Sequence, residues 1–239
     1  MSPASQHDTD VRWNGIADVA ALHESACRRV LAAASDAIRQ RGRFLIVLAG
    51  GNTPQAVYRG LRDSDADWSR WHVYFGDERC APIHDPARNS RMAAEAWLDH
   101  VAIPKNQVHG IPAELGARAA ADAYASTLHD VGDFDLVLLG LGEDGHTASL
   151  FPDHDWGRAI QAPDVLAVAN APKPPPDRVS LSARRLSRAR AVLFMVTGEA
   201  KRDAVTRWRA GEDIPARVIQ PPTGVDVLIE AMLLGAAGC

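Results

Sequence analysis

The residue best suited to acid–base chemistry in this sequence is His146, one of nine histidines. It lies between Gly145 and Thr147, and Asp144 comes two residues earlier, where a carboxylate can orient an imidazole. An imidazole changes its charge near neutral pH, and a positioned one moves protons to or from a reacting group. We therefore predict that His146 is a general acid or base and that Asp144 holds its ring. For a histidine standing alone, a helix cap or a packed core residue is the alternative.

A second polar segment consists of Asp77, Glu78 and Arg79. Arg79 can neutralise a phosphate or a developing oxyanion, and a neighbouring carboxylate such as Asp77 can fix the guanidinium or carry a proton. A buried ion pair without any chemistry is the alternative for this segment.

A third segment, Gly50, Gly51, Asn52 and Thr53, precedes Pro54. Two glycines allow a tight turn, Thr53 is a good N-cap, and proline suits the first helical position. The free N–H groups and partial positive charge of such a helix start form a ready site for a phosphate. A well-capped helix that binds nothing explains the same residues.

Two cations could complete an anion clamp: Arg178, just after a proline-rich loop, and Lys201, in the first turn of a predicted helix. Either could equally be a surface charge. The chain has 26 Lys+Arg and 30 Asp+Glu, a net charge of -4. Residues 173–217 hold eleven Lys+Arg against five Asp+Glu, so this stretch carries +6 and the remainder -10.

The sequence argues against several other chemistries. It has no GxSxG elbow that would make Ser149 an acyl nucleophile, no P-loop for ATP and no HExxH metal motif. Gly140-x-Gly142-x-x-Gly145 matches the dinucleotide fingerprint formally, but it lies in mid-chain and no acidic residue ends the next strand. We therefore expect no metal and no cofactor.

Composition restricts the partners. The acidic net charge argues against a nucleic-acid binder, and no apolar run approaches the length that spans a bilayer. Three cysteines, far apart in sequence, do not suggest a disulfide framework or a thiolate zinc site. Because the first fourteen residues are polar and lack a secretory signal, we expect a cytoplasmic protein.

The candidate functional residues must be positioned by secondary structure, and predicted strands and helices alternate along the chain. Short apolar runs predict strands, and amphipathic stretches between them predict helices. This alternation favours an α/β fold with a doubly wound, mostly parallel sheet and helices on both faces. We predict a single domain over residues 1–239, with a flexible N-terminus at 1–14. The predicted strands are 44–49, 71–75, 134–139, 165–169, 191–196 and 217–219, and the predicted helices are 15–41, 54–62, 90–100, 116–130, 146–150, 199–209 and 225–234.

The predicted sheet brings the polar segments together. Four predicted strands run directly into the segments that begin at Gly50, Gly76, Gly140 and Thr197. In an open parallel sheet the carboxyl ends of the strands lie along one edge, where ligands bind. We therefore expect one shared crevice, in which an acid–base enzyme acts on a small phosphorylated molecule.

Five segments, taken together, resemble the 6-phosphogluconolactonase family: 48–54, 76–82 followed by Asn89-Ser90, 134–152, 173–180 and 198–201. They occur in the family's order and spacing, from about residue 15 to about residue 230, and the Gly142–Pro152 block is the most specific. The chain departs from the family pattern at Asn52, where serine is usual, at Ser180, where threonine is common, and at 227–230, which lacks the usual aromatic–Asp pattern.

This resemblance implies a sugar-phosphate lactone as the substrate and a fold like that of phosphogluconolactonases and glucosamine-6-phosphate deaminases. The implied reaction is hydrolysis of 6-phospho-D-glucono-1,5-lactone to 6-phosphogluconate, with neither metal nor cofactor. His146 would activate the attacking water, Arg79 would stabilise the oxyanion or orient the lactone, and Asp144 and Asp77 would hold the polar geometry. The residues expected to bind the phosphate are Gly50, Gly51, Asn52, Thr53, Arg178 and Lys201.

Two alternatives remain beside this interpretation. A glucosamine-6-phosphate deaminase or sugar-phosphate isomerase usually follows Asp-Gly-His with Ile-Ala-Phe-Asn-Glu-Pro and has Asp-Glu-Tyr in the earlier loop. This chain has Thr-Ala-Ser-Leu-Phe-Pro and Asp-Glu-Arg instead. A sugar-phosphate-sensing regulator would need a helix-turn-helix segment, for which the residues before Gly15 leave no room. We expect a monomer or a weak homodimer.

Overall fold

The computed structural model describes residues 10–235, which form an α/β fold. The helices are α1 (Val19–Arg41), α2 (Asn52–Leu61), α3 (Asn89–Ala96), α4 (Ala117–Leu128), α5 (Ala183–Ser187) and α6 (Arg202–Arg209). The strands are β1 (Val11–Ile16), β2 (Phe44–Leu48), β3 (Trp71–Phe75), β4 (Asp77–Arg79), β5 (Val108–His109), β6 (Leu136–Gly140), β7 (Val165–Val168), β8 (Arg178–Leu181), β9 (Val192–Val196) and β10 (Val225–Glu230).

Seven strands make one parallel sheet, in the order β1-β10-β9-β6-β2-β3-β5. The chain moves outward from β2 to β3 and then returns to place β6 on the other side of β2. This reversal is a topological switch point, where the carboxyl ends of neighbouring strands open a crevice. The predicted doubly wound, mostly parallel sheet is confirmed.

A smaller antiparallel sheet, β4-β8-β7, joins the large one at Gly76. The Gly76 N–H donates to the Leu48 carbonyl at 2.9 Å, and the Gly76 carbonyl accepts from the Leu181 N–H at 2.8 Å. One residue thus links the end of β3 to the start of β4, so the polar side chains of β4 begin where the large sheet ends.

The core follows from the apolar patterning of the elements. All five residues of β2 and of β9 are buried, as expected for strands covered on both faces. Helix α1 buries Leu22, Ala26, Val30, Ala34 and Ala37, whose three- and four-residue spacing forms one stripe. Among the described helices, none combines the length and the apolar character needed to cross a membrane.

Most predicted strands are confirmed. Strand β7 is also confirmed, but it belongs to the small antiparallel sheet and not to the large parallel one. The runs at 44–49, 71–75, 134–139 and 191–196 correspond to β2, β3, β6 and β9. The run at 165–169 is β7, but it pairs antiparallel with β8 in the small sheet. Strand β8 and the short β4 were not predicted, since their polar residues lack the apolar pattern of a buried strand.

The two C-terminal predictions are wrong. Residues 217–219 lie mostly in the 3-10 helix Pro215–Val218, because Pro215 favours a helical start and cannot donate to a sheet ladder. Residues 225–234 are the strand β10 followed by the 3-10 helix Ala231–Leu234. The alternation of Val225, Val227 and Ile229 fits a strand, and pairing with β1 and β9 on both sides fixes it.

The N-terminal prediction needs a similar correction. Residues 1–9 of the predicted flexible segment lie outside the described residues, whereas 11–14 belong to β1 and pair with β10. The first helix consequently begins at Val19 rather than at residue 15, and the Asp18 side chain caps it by accepting from the Ala21 N–H at 2.8 Å.

Candidate active site

The four polar segments do converge. Strands β9, β6, β2 and β3 are consecutive neighbours in the large sheet, and the loops after them border one cleft of about 330 Å³. That volume suits a small-molecule ligand. The lining residues include Gly50, Gly51, Asp77, Arg79, Asn89, Gly142, His146, Thr147, Ala148, Phe151, Lys173, Arg178 and Lys201.

His146 and Asp144 form a hydrogen-bonded pair in this cleft. His146 Nδ1 lies 2.5 Å from Asp144 Oδ1, and the His146 backbone N–H donates to the same oxygen at 3.1 Å. His146 Nε2 makes no hydrogen bond with any residue between 10 and 235. With Nδ1 carrying the proton toward Asp144, the lone pair of Nε2 is available to a substrate or a water.

The Asp144 carboxyl is ionised throughout the neutral pH range. Burial alone raises its pKa, but the hydrogen bond and the charge of His146, together with backbone N–H groups, outweigh burial and lower the pKa to about 2. An ionised carboxylate can accept the Nδ1 proton, which fixes the tautomer and the orientation of the imidazole.

The loop that carries this pair is a turn, and the predicted helix at 146–150 is wrong. The Leu150 N–H donates to the Thr147 carbonyl at 3.0 Å, and Ala148 has a φ of 48°. A right-handed helix cannot continue through a residue with positive φ. The Thr147 hydroxyl donates to the Gly140 carbonyl at 2.8 Å and ties the turn to the end of β6.

Two residues, one from α6 and one from the following 3-10 helix, donate hydrogen bonds to the backbone of the same loop. Arg207 Nη1 donates to the Asp144 carbonyl at 3.3 Å, and the Ala216 N–H donates to the Gly145 carbonyl at 3.1 Å. Gly145 has a φ of 89°, and a Cβ there would lie 3.0 Å from Ile214. Position 145 therefore requires glycine both for its backbone conformation and for this close approach.

Asp77 is buried and held by two side chains. Asn89 Nδ2 donates to Asp77 Oδ1 at 2.9 Å, and Ser149 Oγ donates to Asp77 Oδ2 at 2.6 Å. Asp77, the first residue of β4, thereby connects the sheet edge to the turn that follows His146 and to the start of α3. This geometry fits the predicted role of Asp77 in holding polar groups.

Glu78, the second carboxylate of this segment, caps a helix instead of facing substrate. It is completely buried and accepts from the backbone N–H groups of Arg79, Asn89 and Ser90 at 2.9, 2.6 and 2.8 Å. Arg88 Nε lies 3.5 Å from Glu78 Oε2. Glu78 therefore supplies the negative charge that the N-terminus of α3 favours.

We expect Glu78→Gln to lower the free energy of unfolding by about 3 kcal/mol, because the change leaves Arg88 buried beside a neutral group. Denaturant unfolding followed by circular dichroism measures the loss. Glu114→Gln is the matched control, since Glu114 also pairs with Arg88 but is exposed. Equal stability losses in the two variants would contradict the role of burial.

Arg79 and Arg178 lie opposite each other on β4 and β8. Arg79 Nη1 donates to the Ala87 carbonyl. Arg178 is 5% exposed, and its guanidinium donates to the carbonyls of Lys173, Pro174 and Pro175. Both arginines line the cleft as predicted, but most donors of Arg178 are already engaged by the loop.

The Gly50–Thr53 segment lies where predicted but forms a different cap. Helix α2 begins at Asn52 with Gly51 as its N-cap, and no described side chain caps it. The Thr53 hydroxyl lies 2.6 Å from that of Thr197, so the prediction of Thr53 as N-cap is wrong. Asn52 borders a neighbouring cavity rather than the main cleft. A Cβ at Gly50 would lie 2.0 Å from Asn89 Oδ1, which makes glycine necessary there.

The positive stretch at 173–217 is mostly paired within the protein. Lys201 lines the cleft, with its Nζ 3.8 Å from Glu143 Oε1. Six arginines of the stretch form ion pairs with carboxylates, four of them with carboxylates outside the stretch (Arg184, Arg185, Arg188 and Arg190) and two with Glu199 and Glu212 inside it (Arg202 and Arg207).

The predicted site lacked several residues that line the cleft or hold its side chains, including Asn89, Ser149, Phe151 and Lys173. Asn89 and Ser149 hold Asp77, Phe151 packs its ring 4.8 Å from that of His146, and Lys173 lines the cleft mouth. All four lie in the segments that carry the family resemblance, and that was the one available signal. Within residues 10–235, no group of three or more His, Cys, Asp or Glu side chains could hold a metal ion.

Comparison with known proteins gives a consistent set of similarities. A family model described as glucosamine-6-phosphate isomerases/6-phosphogluconolactonase matches residues 17–228. A 6-phosphogluconolactonase of Mycobacterium leprae is 40% identical over 201 residues, which cover 78% of this chain and 81% of that protein. One from Synechocystis is 39% identical over 214 residues, which cover 84% and 87%.

The similarity extends to three-dimensional structure. The crystal structure of a 6-phosphogluconolactonase from Thermotoga maritima matches the chain with a TM-score of 0.86 at 26% identity. The match covers 92% of this chain and 100% of that one. It therefore includes most of both sheets and of the loops at the cleft.

Proposed function

The chain belongs to the glucosamine-6-phosphate isomerase/6-phosphogluconolactonase family, and from this premise we propose how its cleft works. The reaction is hydrolysis of 6-phospho-D-glucono-1,5-lactone to 6-phospho-D-gluconate, a carboxylic ester hydrolysis of the oxidative pentose phosphate pathway. The observation that carries the mechanism is the His146–Asp144 pair, whose unbonded Nε2 belongs to a cleft lined by four cationic side chains.

In the first step, His146 Nε2 removes a proton from a water molecule as its oxygen attacks C1 of the lactone. Asp144, ionised beside Nδ1, stabilises the resulting imidazolium. Negative charge develops on the carbonyl oxygen of the tetrahedral intermediate. Arg79 is the cation at the end of β4 that we assign to this charge, because charged donors aimed at an oxyanion lower the barrier.

In the second step, the bond between C1 and the ring oxygen breaks. The imidazolium returns its proton to the ring oxygen, which becomes a hydroxyl, and C1 becomes a carboxyl group that ionises to solvent. His146 thus ends the cycle neutral. Asp77 keeps the turn that carries His146 against the end of β3 through its bond to Ser149.

In this proposal the phosphate of the substrate binds to the Gly50–Thr53 segment and to Lys201. Gly50 and Gly51 line the cleft, and the first turn of α2 presents backbone N–H groups that no described side chain caps. In this proposal Asn52 and Thr53 contribute through their backbone N–H groups, because the Thr53 hydroxyl bonds to Thr197 and Asn52 borders a neighbouring cavity. Helix starts of this kind favour phosphate through both hydrogen bonds and the dipole.

The test of the function is an assay with freshly generated lactone, in which 6-phosphogluconate formation is measured above the spontaneous hydrolysis. We expect a clear acceleration that saturates with substrate. Glucosamine 6-phosphate serves as the comparison substrate. Turnover of the amino sugar phosphate with no effect on the lactone would overturn the proposal.

Every residue with a role in this mechanism lies between Gly50 and Lys201 of a single chain, so the mechanism needs no second copy. We propose that the protein acts as a monomer or a weak homodimer, and separately that it acts in the cytoplasm. Sedimentation velocity over a range of concentrations, run beside the activity assay, tests the oligomeric state.

We expect Lys201→Ala to raise the KM for the phosphorylated lactone about 10- to 100-fold with little change in kcat, because a charged hydrogen bond to phosphate is lost. The unphosphorylated glucono-1,5-lactone should show no such change. Lys105→Ala, an exposed lysine outside the cleft, is the control. Equal effects on both lactones would show that Lys201 does not bind the phosphate.

A further inference from the structure

Several hydrogen bonds of the turn that carries His146 lie within the turn itself. The Gly142 N–H donates to the His146 carbonyl at 2.7 Å, and the Gly145 N–H donates to the Gly142 carbonyl at 3.1 Å. The Asp144 carboxylate accepts from the His146 backbone N–H and lies 2.5 Å from Nδ1 of its ring. These bonds give residues 142–146 their shape, but they do not place the turn relative to the rest of the protein.

Two donors from outside the turn act on the backbone just before His146. Arg207 Nη1 donates to the Asp144 carbonyl at 3.3 Å, and the Ala216 N–H donates to the Gly145 carbonyl at 3.1 Å. Arg207 belongs to α6, and neither donor is among the described residues that line the cleft. Both donors therefore influence the catalytic pair through the backbone, without a contact to the substrate.

The Arg207 guanidinium is itself held in place by Glu212. Arg207 Nε donates to Glu212 Oε2 at 2.9 Å, and the Glu212 N–H donates to the Arg207 carbonyl at 3.0 Å. A long side chain that is already paired loses less conformational freedom when it binds a further group. A hydrogen bond from a charged donor is also stronger than one between two neutral groups. Arg207 is therefore suited to fix the backbone of Asp144.

We propose that Arg207 is a positioning residue for the acid–base pair: it fixes the Asp144 backbone so that the carboxylate stays against His146 Nδ1, and Glu212 aims its guanidinium. This inference rests on the proposed function, because it assigns a residue to the same reaction. A catalytic pair must be held within about 0.5 Å of its productive geometry, and a residue that does not touch the substrate can supply that restraint.

Kinetics of Arg207→Met give the first test, since methionine keeps part of the apolar stem and removes the donors. We expect kcat for the lactone to fall about 10- to 100-fold, the cost of a misplaced catalytic group, with the KM little changed. Arg209→Met is the matched control, because Arg209 also lies in α6 and donates to a backbone carbonyl, that of Leu234 at 2.7 Å. Normal kcat in Arg207→Met, or an equal loss in Arg209→Met, would overturn the role of Arg207.

Double variants show whether Arg207 acts through Asp144. In Asp144→Ala the carbonyl remains but the carboxylate is gone, so there is nothing left for Arg207 to position. Adding Arg207→Met to Asp144→Ala should therefore produce little further loss of kcat. Glu212→Gln should cause a smaller loss than Arg207→Met and none in addition to it. Losses that multiply in either double variant would refute the proposed path from Glu212 through Arg207 to Asp144.

The tautomer of His146 provides a readout that needs no turnover. Long-range 1H–15N NMR spectra of protein with 15N-labelled histidine, recorded at about pH 8.5 where neutral imidazoles predominate, show which ring nitrogen carries the proton. The His146 signals are those that His146→Gln lacks. We expect a proton on Nδ1 in the wild type and in Arg209→Met, and a mixture of tautomers in Arg207→Met.

This readout separates the inference from the proposed function. An unchanged His146 tautomer in Arg207→Met would refute the positioning role even if the wild-type protein hydrolyses the lactone. A mixture of tautomers in Arg207→Met, in a protein without lactonase activity, would support the positioning role and refute the proposed function.

Discussion

Replacing His146 with glutamine is expected to lower kcat for lactone hydrolysis by about 10²- to 10⁴-fold, the usual contribution of a positioned general base. The glutamine side chain fills the space beside Phe151, whose ring centre lies 4.8 Å from that of the imidazole. It cannot accept and return a proton as Nε2 does. The KM should change little, because the groups assigned to the phosphate are untouched.

The measurement is the initial rate of 6-phosphogluconate formation after subtraction of spontaneous hydrolysis. His129→Gln is the matched control, because His129 is exposed just after the end of α4, outside the cleft. The thermal unfolding midpoints of both variants should stay near that of the wild type. A His146→Gln enzyme with nearly normal kcat would remove His146 from the mechanism.

The sequence was sufficient to predict how the site is assembled. Four apolar runs, each followed by a polar segment, predicted that distant residues would share one edge of a parallel sheet, and β9, β6, β2 and β3 are neighbours there. The contact between His146 and Asp144 also followed from their spacing. Both inferences rest on local pattern and on a general property of parallel sheets.

What the sequence could not predict depends on contacts between distant segments. Glu78 lies beside Asp77 in a segment that offered two carboxylates, and only the structure shows that the N–H groups of Asn89 and Ser90 make Glu78 a helix cap. Arg178 looked like a free cation, yet the carbonyls of its own loop engage its donors. A charge is available to substrate only when no protein group has already bound it, and sequence spacing does not reveal such partners.

Strand β10 illustrates the same limit for the fold. Residues 225–234 allowed a helix, because valine, leucine and isoleucine occur in both kinds of element. Hydrogen bonding to β1 on one side and to β9 on the other decides for a strand. Tertiary pairing therefore outweighed local propensity, as is common for apolar runs of this length.

Gly142 should prove as important for catalysis as His146, although it carries no side chain. A Cβ at position 142 would lie 2.0 Å from His146 Nδ1 and 2.6 Å from Asp144 Oδ1. The imidazole would have to leave the carboxylate, while the strands beneath the loop need not move. We expect Gly142→Ala to lower kcat by about 10²- to 10⁴-fold, as removal of the base does.

The control is Gly110→Ala, because among the described residues, the two chain neighbours aside, no heavy atom lies within 4 Å of a Cβ at that position. It should leave both kcat and stability near the wild-type values. The decisive comparison is the double variant Gly142→Ala/His146→Gln. Since both changes disable the same base, the double variant should be little slower than His146→Gln alone. If the two losses multiplied, or if Gly142→Ala alone kept wild-type kcat, the contact between His146 and Asp144 would not be what Gly142 protects.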